Sequence, residues 1–192
     1  MWAALATVLV GLAFLGRYLN KTCGWLWGAR RLPTVRSFNR DWVPLRLMVS
    51  PALGNADDLD VLTRAVSSAA GYWNQTVGLC LFIEFGSAFD SNHTIPIMIA
   101  PDYENNDHSV AYTRYCIDEH GALKSASIFM KQEWRACTKQ VLERSMLHEL
   151  GHCLGLDHDG VHGSVMYGAE LNGVYDITKT DVDFLRSVYN KR

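Results

Sequence analysis

No stripe of lysine and arginine interleaved with aromatics runs through this chain. Its 18 basic residues are offset by 20 acidic ones, for a net charge of −2. Nucleic acid is therefore not an expected partner. There is no internal repeat and no low-complexity tract, which excludes solenoids and repeat arrays. What remains is ordinary globular composition, 48% hydrophobic and 20% charged. At 192 residues the chain suits one domain with a substantial core, plus extra material at the N-terminus.

That N-terminal material also lacks things. Trp2 to Gly16 is uncharged and mostly apolar, but a membrane span needs about 20 residues. No Lys or Arg precedes the run, and no small-x-small cleavage site follows it, as an export signal requires. Asn20-Lys21-Thr22 before Cys23 is not a lipoprotein box. We read residues 1–19 as an uncleaved anchor, extended by tilting or by interfacial tryptophans. A cleaved signal peptide, with secretion, is the alternative, and a buried helix is the third reading. Arg17, Lys21, Arg30 and Arg31 would keep the following domain cytoplasmic by the positive-inside rule. An extracytoplasmic domain is the more familiar arrangement, and both orientations stay open here. Residues 20–40 read as a basic linker and 41–192 as the folded domain.

The most informative stretch is His148-Glu149-Leu150-Gly151-His152-Cys153-Leu154-Gly155-Leu156-Asp157-His158. Histidines four apart share one helix face and can reach one metal. Gly155 can end the helix with positive φ, and the returning chain delivers His158 as a third ligand. One coordination position is left for water, and Glu149 is placed to take that water's proton. Seven histidines in a shuffled chain of this composition would produce the full pattern in roughly one case in tens of thousands.

Periodicity supplies the frame. Val43, Leu45, Leu47 and Val49 alternate as a strand. Asn55 to Asp58 caps a helix with Leu59, Leu62, Val66, Ala69 and Trp73 on one face, ended by Gly78. Strand candidates follow at Leu79–Phe85, Ile95–Ile99, Ser109–Tyr115 and Ser125–Met130. Pro96 suits a strand end or an edge. Thr138 caps the helix that carries the histidine motif, and Thr178 with Asp181 starts a third. The expected class is α+β, with a mixed five-stranded sheet and three helices.

Met166 stands eight residues after His158, within Ser164-Val165-Met166-Tyr167. With the histidine motif, this resembles the metzincin metallopeptidases, whose Met-turn lies beneath the metal. The spacing, Tyr167 after the methionine and Glu133-Trp134 before the zinc helix are most similar to the matrixins. The resemblance spans roughly residues 41 to 190. It implies a zinc endopeptidase acting on protein or peptide substrates, expected as a monomer. It implies one catalytic Zn²⁺ on His148, His152 and His158, with Glu149 as general base. Substrate would lie extended along an edge strand, Ser109–Tyr115, with Leu147 and Tyr167 lining a side-chain pocket. Asp159 would orient a ligand histidine, or else be a solvated loop carboxylate. Asp159 itself is more adamalysin-like, and no proline follows Tyr167. No cysteine-switch propeptide is expected, because Cys23-Gly24 lies in the wrong setting. Structural calcium or a second zinc is not evident, and His93, His108 and His120 read as surface histidines. The alternative from another class is a membrane-tethered zinc-binding interaction module without protease activity. A different zinc clan, with Glu170 in place of His158, is a third reading.

Five cysteines remain. Cys116 and Cys137 flank two strands and can pair in an oxidising compartment. Cys80 and Cys153 read as small buried core residues. Asn74-Gln75-Thr76 and Asn92-His93-Thr94 match glycosylation acceptors.

Overall fold

The computed structural model describes residues 37–83, 93–101, 109–168 and 175–190. The expected anchor, most of the linker, Glu170, His108 and Asn92 lie outside them. None of the helices among the described residues is long and apolar enough to cross a membrane.

Five strands form one sheet: β1 (Leu45–Val49), β2 (Phe82–Ile83), β3 (Thr94–Ile99), β4 (Ala111–Ile117) and β5 (Leu123–Met130). Their spatial order is β2-β1-β3-β5-β4. All neighbours run parallel except β4, which is antiparallel to β5 and forms one edge, β2 forming the other. Among the described residues the α-helices are α1 (Ala56–Val77), α2 (Lys139–Cys153) and α3 (Lys179–Tyr189). This is the mixed five-stranded α+β architecture that the periodicity implies.

Two strand expectations change. β3 is interior, so of the two places that suit Pro96, a strand end or an edge, the edge is excluded. The carbonyls of His93 and Ile97 accept from Arg46 N of β1 and from Ser50 N just after it, so alternate residues along β3 serve that neighbour. Pro96 falls on the other side, and the ladder with β5 begins only at Ile97↔Ile128. Its missing N–H therefore disrupts neither ladder. Of the strand expected over Leu79–Phe85, residues 84 and 85 lie outside the described residues, and within 79–83 only Phe82–Ile83 is regular strand. Asn74, in the last turn of α1, explains this. Its Oδ1 accepts from the N–H groups of Leu81 (2.8 Å) and Phe82 (3.0 Å), and its Nδ2 donates to Phe82 O (2.8 Å). Both ends of the amide in that glycosylation triplet thus serve the fold.

The core lies between the sheet and α1 with α2. α1 starts at Asn55, whose side chain accepts from Asp58 N, and ends at Gly78 with φ 73°. Its buried face carries Leu62, Val66, Ala69, Trp73 and Val77. Trp73 is fully buried, and its indole N–H donates to Leu147 O at 2.9 Å, joining α1 to α2. α3 opens with a capping box between Thr178 and Asp181. The hydroxyl of Tyr189 then donates to Leu154 O (3.1 Å) and accepts from Phe38 N (3.1 Å). This tie braces the end of α2, where the histidines sit.

The cysteines differ from expectation. Cys137 is a free thiol while Cys116 is disulfide-bonded, so they do not pair with each other. Cys153 is buried as expected, but Cys80 is exposed. The turn after α1 places Cys80 outside the layer that its apolar neighbours Leu81 and Phe82 enter.

Candidate metal centre

α2 begins at Thr138, whose hydroxyl accepts from Val141 N (3.3 Å). At about 3.6 residues per turn, the four-residue spacing then brings His148 and His152 to one face. The helix ends in a Schellman motif: Leu156 N donates to Gly151 O and Gly155 N to His152 O, at 3.1 and 3.0 Å. Gly155 takes φ 94°, which a side chain would oppose. That reversal brings His158 back over the helix. The three Nε2 atoms lie 3.0, 3.1 and 3.1 Å apart. Among the described residues these are the only group of three or more metal-type side chains so clustered.

The other ring nitrogens fix the chemistry. Nδ1 of His148 is 2.6 Å from Val165 O, and Nδ1 of His152 is 2.8 Å from Leu156 O. A carbonyl can only accept, so each of these Nδ1 atoms carries a hydrogen, and in the neutral ring the lone pair is then on Nε2. Burial holds the His152 pKa well below the usual histidine range, aided by His148 and His158. His158 is lowered too, by burial and then by His148. Neutral imidazoles with converging lone pairs repel one another unless a cation sits between them. A point just off the plane of such a triangle lies about 2.1 Å from all three nitrogens, the zinc–imidazole distance. The donor set therefore fits one zinc ion.

Beneath the cluster, Ser164 to Tyr167 form a tight turn. Ser164 Oγ accepts from Met166 N (3.0 Å) and Ser164 O from Tyr167 N (3.1 Å). Met166 is fully buried and packs against Gly151. The turn also supplies the Val165 carbonyl that orients His148, a partner that spacing alone did not reveal.

Glu149 is only 6% exposed, and its Oε2 accepts from the Thr113 hydroxyl of β4 at 2.6 Å. Thr113 was not singled out in the sequence. The same hydroxyl reaches the buried Cys153 thiol, whose pKa burial and the Glu149 charge push up. Leu147 is partly buried against the core. Tyr167 is half-buried, its ring 5.6 Å from that of His162. Asp159 closes its own loop: its Oδ1 accepts from Val161 N (3.1 Å) and its N–H donates to Met166 O (2.9 Å). Its effect on His158 is through space, favouring the charged ring. His120 is exposed beside Glu119, and His93 lies by Trp42.

A mixed five-stranded sheet, a helix-borne histidine pair completed from the following loop, and a buried methionine turn define a zinc metallopeptidase of the metzincin type. The matrixin family model matches residues 55–190, most of the chain. The chain belongs to the matrixin family. No curated protein sequence matches it.

Proposed function

We propose that this chain is a zinc-dependent endopeptidase, with His148, His152 and His158 as ligands and Glu149 as general base. The observation that carries the reading is the convergence of three Nε2 atoms within 3.0–3.1 Å, two of them on the helix that holds Glu149 and the third from the loop after it. Zinc bound there supplies Lewis acidity toward a water and the scissile carbonyl. The chain supplies the rest. The carboxylate of Glu149 takes the proton of the attacking water and returns it to the leaving amine. Its burial keeps competing water away from that transfer.

β4 is the edge strand against which α2 packs. An extended substrate adds its main chain to that edge, which suits cleavage within a long chain. Leu147 and Tyr167 flank the metal ligands in sequence and are assigned to the side-chain pocket. Asp159 is assigned to His158 as a charge, not as a hydrogen-bond partner. The disulfide at Cys116 supports an oxidising, extracytoplasmic setting. Residues 1–19 are proposed as the membrane tether of a monomeric enzyme.

Glu149→Gln tests the assignment. It should abolish cleavage of a casein-type substrate while retaining about one zinc per chain. Cleavage at the wild-type rate would remove Glu149 from the role of base. Chelation should abolish wild-type activity, and added zinc should restore it.

A further inference from the structure

Strand alternation sends Ala111, Thr113, Tyr115 and Ile117 of β4 toward one face. Ala111 is buried, and Tyr115 and Ile117 pack against the core. Tyr112 and Arg114 occupy the opposite face, where Tyr112 stacks on Phe129 and Arg114 lies over both rings. Thr113 is thus the one hydroxyl without an aromatic ring in a row otherwise built for packing. Valine has the same shape and would fill the space as well. What threonine adds is an O–H, and that group lies 2.6 Å from Oε2 of Glu149 and 3.1 Å from Glu149 O. A hydroxyl has one hydrogen. The shorter contact takes it, at the length of an O–H bond to a carboxylate.

We propose that Thr113 is a positioning residue for peptide hydrolysis, holding the Glu149 carboxyl group in one orientation while it takes and returns a proton. The inference rests on the reading of Glu149 as the base. The terminal torsion of a glutamate is broad, so an untethered carboxyl group spends time turned away from the water it must deprotonate. A hydroxyl suits this tether because it both donates and accepts. It donates to Oε2 while Glu149 is ionised. Once the proton has arrived on Oε2, the same oxygen accepts it, and a proton on Oε1 leaves the original bond intact. Only the hydroxyl hydrogen turns, and the carboxyl group stays in place. Because Thr113 belongs to the edge strand, the tether also fixes the base relative to a substrate laid on that edge.

Thr113→Val and Thr113→Ser distinguish this role from simple packing. The readouts are kcat and KM on a peptide, zinc per chain and Tm. Thr113→Val should keep about one zinc and KM within about twofold, while kcat falls about ten- to hundredfold. Thr113→Ser should recover kcat to within about threefold of wild type. A valine variant with wild-type kcat would overturn the proposal. So would a loss confined to KM, or a serine variant as slow as the valine one. If the valine variant fails to fold, Thr113→Ala against Thr113→Ser gives the same comparison. Glu149→Gln run in parallel separates the two readings. If it is inactive while Thr113→Val is fully active, only the positioning role fails. If it is fully active, the assignment of the base fails.

Discussion

Gly151 and Met166 are in contact because Gly151 has no side chain: a Cβ built there would run into the Met166 sulfur and lie 3.1 Å from Cζ2 of Trp73. Gly151 lies between His148 and His152 on α2, and Met166 belongs to the turn whose Val165 carbonyl holds His148. Helix packing and the orientation of His148 are therefore set at one point. Gly151→Ala gains about 1 kcal/mol of helix propensity. Forcing a methyl into a filled space costs about 1–3 kcal/mol and moves its neighbours. The expected result is a lower Tm and faster loss of zinc to a competing chelator. Melts with and without zinc, with a chelator titration, check both. An alanine variant equal to wild type in the two measurements would show that the Met166 turn shifts freely.

The neutral histidines predict a pH dependence in the zinc-free protein. Burial and the neighbouring rings depress the pKa of His152, and burial and His148 depress that of His158. In the unfolded chain each takes a proton near pH 6.5. Below that pH the unfolded state binds more protons than the folded one, so stability falls as pH falls. It stops falling only below the depressed folded-state values. Above about pH 6.5 neither ring contributes a penalty. Urea midpoints of chelated protein should therefore drop between pH 7.5 and pH 5.5, about one unit either side of that value. His152→Gln should flatten the dependence. Equal midpoints at the two pH values would contradict the depressed pKa values.

The parts of this site that are local in sequence were legible, and the parts that depend on packing were not. His148 and His152 declare themselves because a helix turns a four-residue spacing into proximity. Gly155 signals the reversal that brings in His158. The Val165 and Leu156 carbonyls were not legible, because every residue has a carbonyl and only the fold chooses one. Thr113 is 36 residues from Glu149, and the two meet only when α2 packs on the sheet edge. Pro96 suits a strand end or an edge, and strand sequence does not name its neighbours. It lies inside the sheet because its missing N–H falls where no ladder needs it. Cys116 and Cys137 can pair as far as sequence shows, but closeness to strand ends is not closeness in space.

Asn74 predicts a stability effect remote from the histidines. Its amide accepts from two N–H groups and donates to one carbonyl at the start of β2. Asn74→Ala leaves these partly buried backbone groups without that partner, at about 1–3 kcal/mol for each one that water does not reach. Tm should fall clearly, while kcat of the protein still folded should change little. Amide exchange at Leu81 and Phe82 should accelerate most. If the variant melts like wild type and those two amides stay protected, the Asn74 tie does not hold β2 in place.

The thiols should react in an order set by burial. Cys80 is exposed, Cys137 is partly buried with its pKa raised by burial and by Glu133, and Cys153 is fully buried with its pKa raised further. Only the thiolate attacks an alkylating reagent. Iodoacetamide at neutral pH should therefore modify Cys80 first and Cys137 more slowly. Cys153 should react only after unfolding. Cys116 should react only after reduction, because it is disulfide-bonded. Peptide mapping by mass spectrometry without reduction reads all four positions in one experiment. A Cys116–Cys137 cross-linked peptide would contradict the pairing seen here. Labelling of Cys153 in the native protein would show that the floor beneath Glu149 opens to solvent, which the sealed packing around α2 does not allow.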